Sequence, residues 1–182
     1  MRIRYSMMDQ FLQCPNKFKR LYIDCVVETQ NSSAMSFGTA IHGALNAFFS
    51  EEDPYTRFNM YWNSIKDSHL EYDRYTWEDL GAMATNVFIP NFIRLHSKKF
   101  KNPKMEETIE MPFLGEHTLQ GTFDIAAEYD GKLGLWDYKT SAREYPQSKI
   151  YRNPQLYIYA RLYQHKYGIL PEHVGYKVFI KS

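Results

Sequence analysis

Hydrophobic positions in the first hundred residues are spaced as on one face of a helix, whereas later residues alternate as in a strand. The apolar spacing predicts a helix over 36–49 and two longer helices over 55–73 and 77–100. Pro90 interrupts the backbone hydrogen bonds of the third helix, which is therefore predicted to kink there.

Two short helices are predicted ahead of these three. Ser6, with Asp9 three residues later, matches a capping box that would begin the first helix. Pro15 suits the first turn of the next helix, where the missing N–H of proline has no partner to lose. The N-terminal half of the chain is therefore predicted to be helical.

From residue 105 onward the alternation predicts strands. Residues 105–113 form the first, with Ile109, Met111 and Phe113 on one face. Two further strands are predicted near 118–128 and 132–139, followed by a helix over 153–167 that ends at Gly168. The segment HVGYKVFIK then closes the pattern as a last strand, so the order of elements indicates an α/β fold.

The dipeptide Asp130-Gly131 predicts a tight hairpin between the second and third strands, because a type I′ turn needs positive φ at both central residues. Centring the hairpin there pairs 129 with 132, 127 with 134, and Asp124 with Asp137. Cβ atoms of such a pair lie about 5 Å apart, and like charges at that distance are destabilising. A divalent cation is the natural counter-charge, since hard cations take carboxylate oxygens.

Lys139 falls on the same face as Asp137, while Trp136 and Tyr138 point the other way. The alternative is a solvated acidic pair that repels weakly, with Lys139 as a partial counter-charge. Apolar neighbours such as Phe123 and Leu135 leave neither strand a clean polar side, and burying carboxylates without partners is costly. A functional cluster is therefore the favoured interpretation.

Composition narrows the class of protein. The 182 residues are enough for a substantial core, and 44% hydrophobic with 24% charged residues is typical of a folded globular chain. A net charge of +1 means that a nucleic-acid surface must be a local basic patch. The chain has no long apolar run, no signal-peptide core and only two cysteines. We therefore expect a cytoplasmic protein without membrane contact or a disulfide framework.

Two helical motifs accompany the hairpin. Gln155 and Tyr159 are four residues apart and share a helix face, as do Gly38 and His42. Taken alone, His42 could be a packed or surface histidine, and Gln155 with Tyr159 could be an amphipathic helix face. Their place beside the hairpin motifs favours a role in the site.

Five segments in order, CPNKF with Tyr22, GTAIHGAL, GTFD, DYKTS and QLYIY, resemble the PD-(D/E)XK nuclease superfamily, and within it the RecB-like exonuclease branch. The resemblance implies a restriction-endonuclease-like core, with a mixed central sheet flanked by helices and a helical N-terminal half. It implies one domain over 1–182, in which 1–104 carries the histidine motif and 105–182 is the α/β catalytic core.

The resemblance also implies hydrolysis of DNA phosphodiesters with Mg²⁺ or Mn²⁺. The implied metal ligands are the side chains of His42, Asp124 and Asp137 and the backbone carbonyl of Tyr138. Lys139 would position and activate the attacking water, while Gln155 and Tyr159 would orient Lys139 or the scissile phosphate. Ligation mostly by oxygen with one imidazole suits these cations better than Zn²⁺.

Three residues near the cluster are candidate phosphate contacts: Ser141, Lys149 and Arg152. A solvated loop is the alternative for them, and a solvated position is the favoured interpretation of Glu110. DNA recombination, repair or phage DNA processing is the implied context, with a helicase or recombination partner as an option. A non-cleaving module that binds DNA or a helicase is the alternative function, and an RNA-directed nuclease is a third. Exo- or endonucleolytic mode, strand polarity, the number of metals and the oligomeric state stay open.

Some RecB-like nucleases carry an iron–sulfur cluster whose first cysteine stands where Cys14 stands. No cysteine follows Cys25, and such a cluster needs four thiolates. No iron–sulfur cluster is therefore expected in this chain. Cys14 is instead predicted to be a small buried residue at a helix junction.

Overall fold

A mixed five-stranded sheet forms the centre of the protein, in a computed structural model that describes residues 1–26, 31–68, 70–96 and 99–181. The helices are α1 Tyr5–Gln13, α2 Pro15–Phe18, α3 Ser33–Phe49, α4 Pro54–Ser64, α5 Trp77–Met83, α6 Ile89–His96, α7 Gln147–Tyr151 and α8 Pro154–Tyr167. The strands are β1 Arg2–Arg4, β2 Asn31–Ser32, β3 Leu70–Glu71, β4 Phe100–Phe113, β5 His117–Tyr129, β6 Lys132–Ser141 and β7 His173–Ile180. Two π-helical segments, Lys19–Ile23 and Ala84–Phe88, follow α2 and α5.

The central strand β5 changes neighbour along one of its edges. It pairs in parallel with β1 over Thr118–Gln120 and antiparallel with β6 over Ile125–Tyr129. Because β4 pairs along the other edge of β5, β1 and β6 must share this edge. Between them, the recorded pairs of the described residues leave 121–124 without a strand partner on that side. β7 adds to β6 in parallel and completes the sheet.

The two faces of the sheet bury different cores. On one face, α3 and α6 pack Phe37, Ile41 and Phe92 against Trp136 and Tyr138. On the other face, α8 packs against a second cluster, which contains Leu119, Phe123, Leu135 and Leu162. Helices therefore cover both faces of a mixed sheet, which is the restriction-endonuclease-like arrangement that was expected.

Several predicted elements are confirmed. The hairpin has the predicted register, with Tyr129 opposite Lys132 and Ala127 opposite Gly134. The helix before Gly168 and the closing strand are present, and Gly168 ends the helix in the left-handed conformation. Trp136 and Tyr138 both point away from Leu135, as the alternation predicts.

Other predictions are wrong. The helix predicted over 55–73 ends at Ser64. The stretch predicted over 77–100 is helical only as far as His96, and its π-helical segment lies just before Pro90, where the kink was predicted. No side-chain bond caps α1, which begins at Tyr5 directly after β1, so the capping box at Ser6 is wrong. The three-residue β1 was not predicted, and β4 begins at Phe100 rather than residue 105.

Within the described ranges, none of the helices is long and apolar enough to cross a bilayer. The division into 1–104 and 105–182 as parts of one domain stays a prediction.

Candidate active site

The candidate site lies where β5 changes partner. Asp124 occupies the gap between the β1 and β6 pairings. The ladder to β6 is recorded only as far as Ile125 with Trp136, so the predicted direct pair of Asp124 with Asp137 is not among its members. Instead, the Asp124 carboxylate accepts the backbone N–H of Tyr138 at 2.5 Å. A side chain thus takes the place of a backbone partner at this step of the hairpin.

Side-chain alternation is interrupted at the same position. Phe123 and Ala126 both belong to the core under α8, whereas Ile125 and Ala127 belong to the core under α3. Two residues of one face normally stand an even number of positions apart, so the strand must turn between Phe123 and Ala126. This turn makes Asp124 accessible from α3.

Helix α3 brings His42 to that carboxylate. The imidazole Nδ1 lies 3.3 Å from Asp124 Oδ1, and Nε2 lies 2.9 Å from the Tyr138 carbonyl oxygen. Burial acts to lower the pKa of His42, but the hydrogen bond to Asp124 and its charge outweigh burial, so the pKa is raised. Gly38, one turn earlier on α3, lies next to Thr140, so the predicted shared face of Gly38 and His42 does point at β6.

Asp137 is buried, with 3% of its surface exposed, and faces the α8 side of the sheet. Its Oδ1 accepts a long hydrogen bond of 3.4 Å from Gln155 Nε2. Its Oδ2 forms an ion pair with Lys139 Nζ but accepts no regular hydrogen bond from the described residues. Burial, followed by the charge of Asp124, raises the pKa of Asp137 to about 6, although Lys139 and His42 oppose the shift.

Helix α8 and strand β7 complete the surroundings of Asp137. Gln155 Nε2 also lies 2.9 Å from Tyr159 Oη, and the hydroxyl of Tyr176 donates to Gln155 Oε1 at 3.1 Å. The Tyr176 ring lies under Lys139 Nζ, 5.6 Å from its centroid. The sequence analysis missed Tyr176. Its place opposite Asp137 in the parallel β6–β7 pairing is long-range information that no local motif carries.

Gly121 allows α8 to approach the sheet this closely. A Cβ atom built at this position would lie 2.6 Å from Leu162 Cδ1 and 3.0 Å from Tyr159 Cε1. Real carbon atoms do not approach to these distances, so a larger residue would push α8 outward. The glycine of the GTFD segment therefore has a packing reason that is independent of any family pattern.

The donor set is chemically suited to a hard divalent cation. Two carboxylates, an imidazole and a backbone carbonyl are close together, and one buried oxygen of Asp137 has a charge partner but no regular hydrogen bond. Burial and the charge of Asp124 raise the pKa of Asp137, and a bound cation would favour its charged form. Even so, no three His, Cys, Asp or Glu side chains of the described residues stand in an arrangement ready to hold a metal. Both ring nitrogens of His42 contact protein oxygens instead.

A cleft of about 660 Å³ opens beside His42, between α3 and α4. Its walls include Asn46, Arg57 and Tyr61, and Asn46 donates to Glu106 of β4 at 3.0 Å. Of the candidate site, the cleft reaches His42, and its walls carry one arginine and two glutamates, Glu52 and Glu106.

The predicted phosphate contacts are distributed around the end of β6 and the start of α8. Ser141 ends β6 and accepts the Arg143 N–H through its hydroxyl, and Arg152 is exposed just before α8. Lys149 lies in α7, but its side chain is outside the described part of the chain. Glu110 is partly exposed and pairs with Arg2, away from the cluster, as expected.

The prediction for Cys14 is wrong. The residue is exposed, and its sulfur accepts the Lys17 N–H at the start of α2. Cys14 follows directly on α1 and precedes the four-residue α2, so no core surrounds it.

Comparison of the sequence with known protein families identifies the family of this chain. A sequence model of the PD-(D/E)XK nuclease superfamily matches residues 3–180. The chain belongs to this superfamily. PD-(D/E)XK nucleases use divalent metal ions, typically Mg²⁺, so membership implies a nuclease, a hydrolase that acts with such an ion. No curated protein matches the chain.

Two solved structures are distantly similar to this PD-(D/E)XK chain. SSO0001 shares 15% sequence identity, with coverage of 94% of this chain and 73% of its own, at a TM-score of 0.36. The protein VC1899 from Vibrio cholerae shares 11% identity, with coverage of 93% of this chain and 46% of its own, at a TM-score of 0.28. The chain thus spans less than half of VC1899. At these TM-scores neither similarity adds to the family assignment.

Proposed function

We propose that this PD-(D/E)XK chain is a metal-dependent deoxyribonuclease of the RecB-like branch that acts as an exonuclease. The observation that carries the proposal is the ion pair of the buried Asp137 with Lys139 beside Asp124, at the point where β5 changes partner. A buried carboxylate whose pKa is raised by burial and by a second carboxylate is typical of catalytic sites.

Asp124, Asp137, His42 and the carbonyl of Tyr138 would hold Mg²⁺ or Mn²⁺. To become a ligand, the imidazole of His42 must release one of its two present protein contacts. When bound, such an ion lowers the pKa of a coordinated water and offsets the negative charge of a phosphodiester.

Lys139 is the proposed catalytic residue that positions and activates the attacking water. Its ammonium is held between the carboxylate of Asp137 and the ring of Tyr176, so its direction is fixed before substrate arrives. A fixed cation can stabilise the charge that develops on the attacked phosphate without reorganising. Gln155, held by Tyr159 and Tyr176, orients Asp137 and the phosphate beside it.

The proposed context is DNA recombination, repair or phage DNA processing, with a helicase or recombination partner. We also expect no iron–sulfur cluster in this chain, since four thiolates are needed and Cys14 and Cys25 are its two cysteines. Ser141, Lys149 and Arg152 are proposed contacts to DNA phosphates.

Cleavage of linear DNA labelled at either end tests the proposal. Single-stranded and duplex DNA, with RNA of the same sequence, are incubated with Mg²⁺, with Mn²⁺ or with EDTA. Metal-dependent shortening of DNA from one labelled end is expected, and that end gives the polarity. Cleavage within the strand would overturn the exonuclease assignment, and preference for RNA would overturn the DNA assignment. No cleavage under any condition would contradict the nuclease proposal and favour a binding module.

A further inference from the structure

The two most exposed aromatic side chains in the described ranges lie together beside the candidate site. Tyr151 is 65% exposed and Tyr157 is 55% exposed. The hydroxyl of Tyr157 donates to the carbonyl oxygen of Tyr151 at 3.0 Å, which fixes the Tyr157 side chain to the backbone before α8. Exposed apolar residues that are grouped into one patch, rather than scattered singly, mark binding surfaces.

An apolar groove runs from these residues along α8. It has a volume of about 420 Å³ and lies between the sheet residues Phe113 and Leu119 and the helix residues Tyr157 and Ile158. Two arginines, Arg152 and Arg161, line it together with six residues that carry no charge. The groove therefore combines an apolar floor and an aromatic ring with positive charge that no acidic wall residue offsets.

The groove lies along α8, the helix that also carries Gln155 of the site already described. Tyr157 stands two residues after Gln155 on α8, and Arg152 stands three residues before it. Arg152 also lines a smaller hollow with Tyr5, Asp9 and Asn153, at the start of the same helix.

We infer that this groove binds a single strand of nucleic acid next to the active site, with a base stacked on Tyr157 and phosphates against Arg152 and Arg161. This inference rests on the proposed nuclease function. An unpaired strand offers what the groove accepts, because its bases expose flat apolar faces and its phosphates lie at regular intervals. A duplex hides the base faces, so it does not fit an apolar groove of this kind.

Fluorescence anisotropy with labelled oligothymidylate and with an abasic strand of the same length tests the inference. EDTA is present throughout, so binding is measured without cleavage. Tyr157→Leu is expected to weaken binding of oligothymidylate about tenfold, because one base stack is lost, and to leave the abasic strand unaffected. Tyr157→Phe keeps the ring and is expected to bind oligothymidylate like the wild type.

The second part of the experiment measures how DNA binding by two arginine variants depends on salt concentration. Arg161→Gln is expected to weaken binding of both strands and to reduce the slope of log affinity against log salt by about 0.7, the value for one phosphate of a single strand. Arg94→Gln is a matched control: Arg94 and Arg161 are both exposed on helices, and each bonds an amide side chain three residues away, Asn91 or Gln164. Arg94→Gln is expected to leave the affinity and the slope unchanged.

The inference is wrong if Tyr157→Leu and Arg161→Gln both bind the two strands with wild-type affinity. It is also wrong if Arg94→Gln loses as much affinity as Arg161→Gln. These results are separate from those of the cleavage experiment. If the protein cleaves DNA but the groove variants bind normally, the proposed function stands and the inference about the groove is wrong. If the protein does not cleave DNA, but Tyr157→Leu weakens oligothymidylate binding, the inference about the groove stands and the proposed nuclease function is wrong.

Discussion

At one end of the β5–β6 hairpin the chain reverses through Asp130 and Gly131, both with positive φ, and regular strand pairs run from the turn to Ile125 with Trp136. At the other end, the regular pairing gives way. A carboxylate accepts a backbone N–H there, the side-chain alternation shifts, and helices from both faces of the sheet reach the strands. Backbone preferences of neighbouring residues explain the conformation of the turn end. The site end is held by contacts with residues that are distant in sequence.

Substitutions at the two ends should therefore have different effects, on stability at the turn and on chemistry at the site. At the turn end the residues form regular strand pairs and core contacts, so a substitution changes the free energy of folding. At the site end, opposed charges are kept close together at a cost in stability, so a substitution there changes function first. Matched substitutions at the two ends separate these effects.

The largest effect is expected for Lys139→Ala. The variant loses the fixed ammonium that faces Asp137, and the cleavage rate should fall about 10²–10³-fold while the divalent ion still binds. Lys132→Ala, at the exposed turn end of the same strand, is the control and should cleave like the wild type. The readout is cleavage of end-labelled DNA together with Mn²⁺ calorimetry. Retained cutting by Lys139→Ala would remove the lysine from the mechanism.

Asp124→Asn should have the next largest effect. Asparagine keeps an oxygen that can accept the Tyr138 N–H but removes the charge, so Mn²⁺ affinity should fall at least about tenfold. Asp130→Asn makes the same chemical change in the turn, where asparagine tolerates a φ of 50°, and should leave the affinity unchanged. Undiminished Mn²⁺ affinity of Asp124→Asn by calorimetry would show that this carboxylate is not a ligand.

Gly134→Ala tests the turn end. A Cβ atom there would lie 2.4 Å from the Trp136 ring, which packs against Phe100 and Tyr129, so unfolding should become easier by roughly 1–3 kcal/mol. Gly175→Ala approaches the same ring at an ordinary 3.8 Å and should cost less. Urea denaturation measures both, and the cleavage rate per folded molecule should not change. Equal costs for the two variants would show that the tryptophan contact is not the cause.

The smallest effect concerns the pH dependence of stability without metal. The folded pKa of Asp137, about 6, lies above the ordinary 3.8, so the folded state binds this proton more tightly than the unfolded state. Stability should therefore fall as pH rises from about 4 to 6, by of the order of 1–2 kcal/mol. Asp137→Asn has no such proton and should lose this slope in EDTA. If the melting temperatures of the two proteins run parallel over this pH range, the charge repulsion is absent.

Local signals predicted the hairpin and α8 because both are decided by neighbouring residues. Asp130-Gly131 sets the turn, and Gly168 ends α8 through its positive φ. The same reasoning placed Asp137 and Lys139 on one face, and their ion pair is consistent with that.

Long-range contacts explain what the sequence could not predict. β1 has three residues, too few for an alternation to be visible, and it is defined only by its pairing with β5. Tyr176 resembles any other aromatic residue of a strand until β7 pairs with β6 and brings its hydroxyl to Gln155. The direct Asp124–Asp137 pair was an extrapolation of a regular ladder, and it failed where the side chain of Asp124 replaced a strand partner.

The change of partner along β5 also determines the order in which the strands can pair during synthesis of the chain. Arg4 bonds to Gln120, 116 residues later, so β1 cannot pair until β5 has left the ribosome. At about 5–20 residues per second, this wait lasts roughly 6–23 s. His42 meets its hairpin partner 96 residues later, and Gln155 and Tyr176 follow later still. A nascent chain therefore lacks the complete site until β7, which carries Tyr176, has been made.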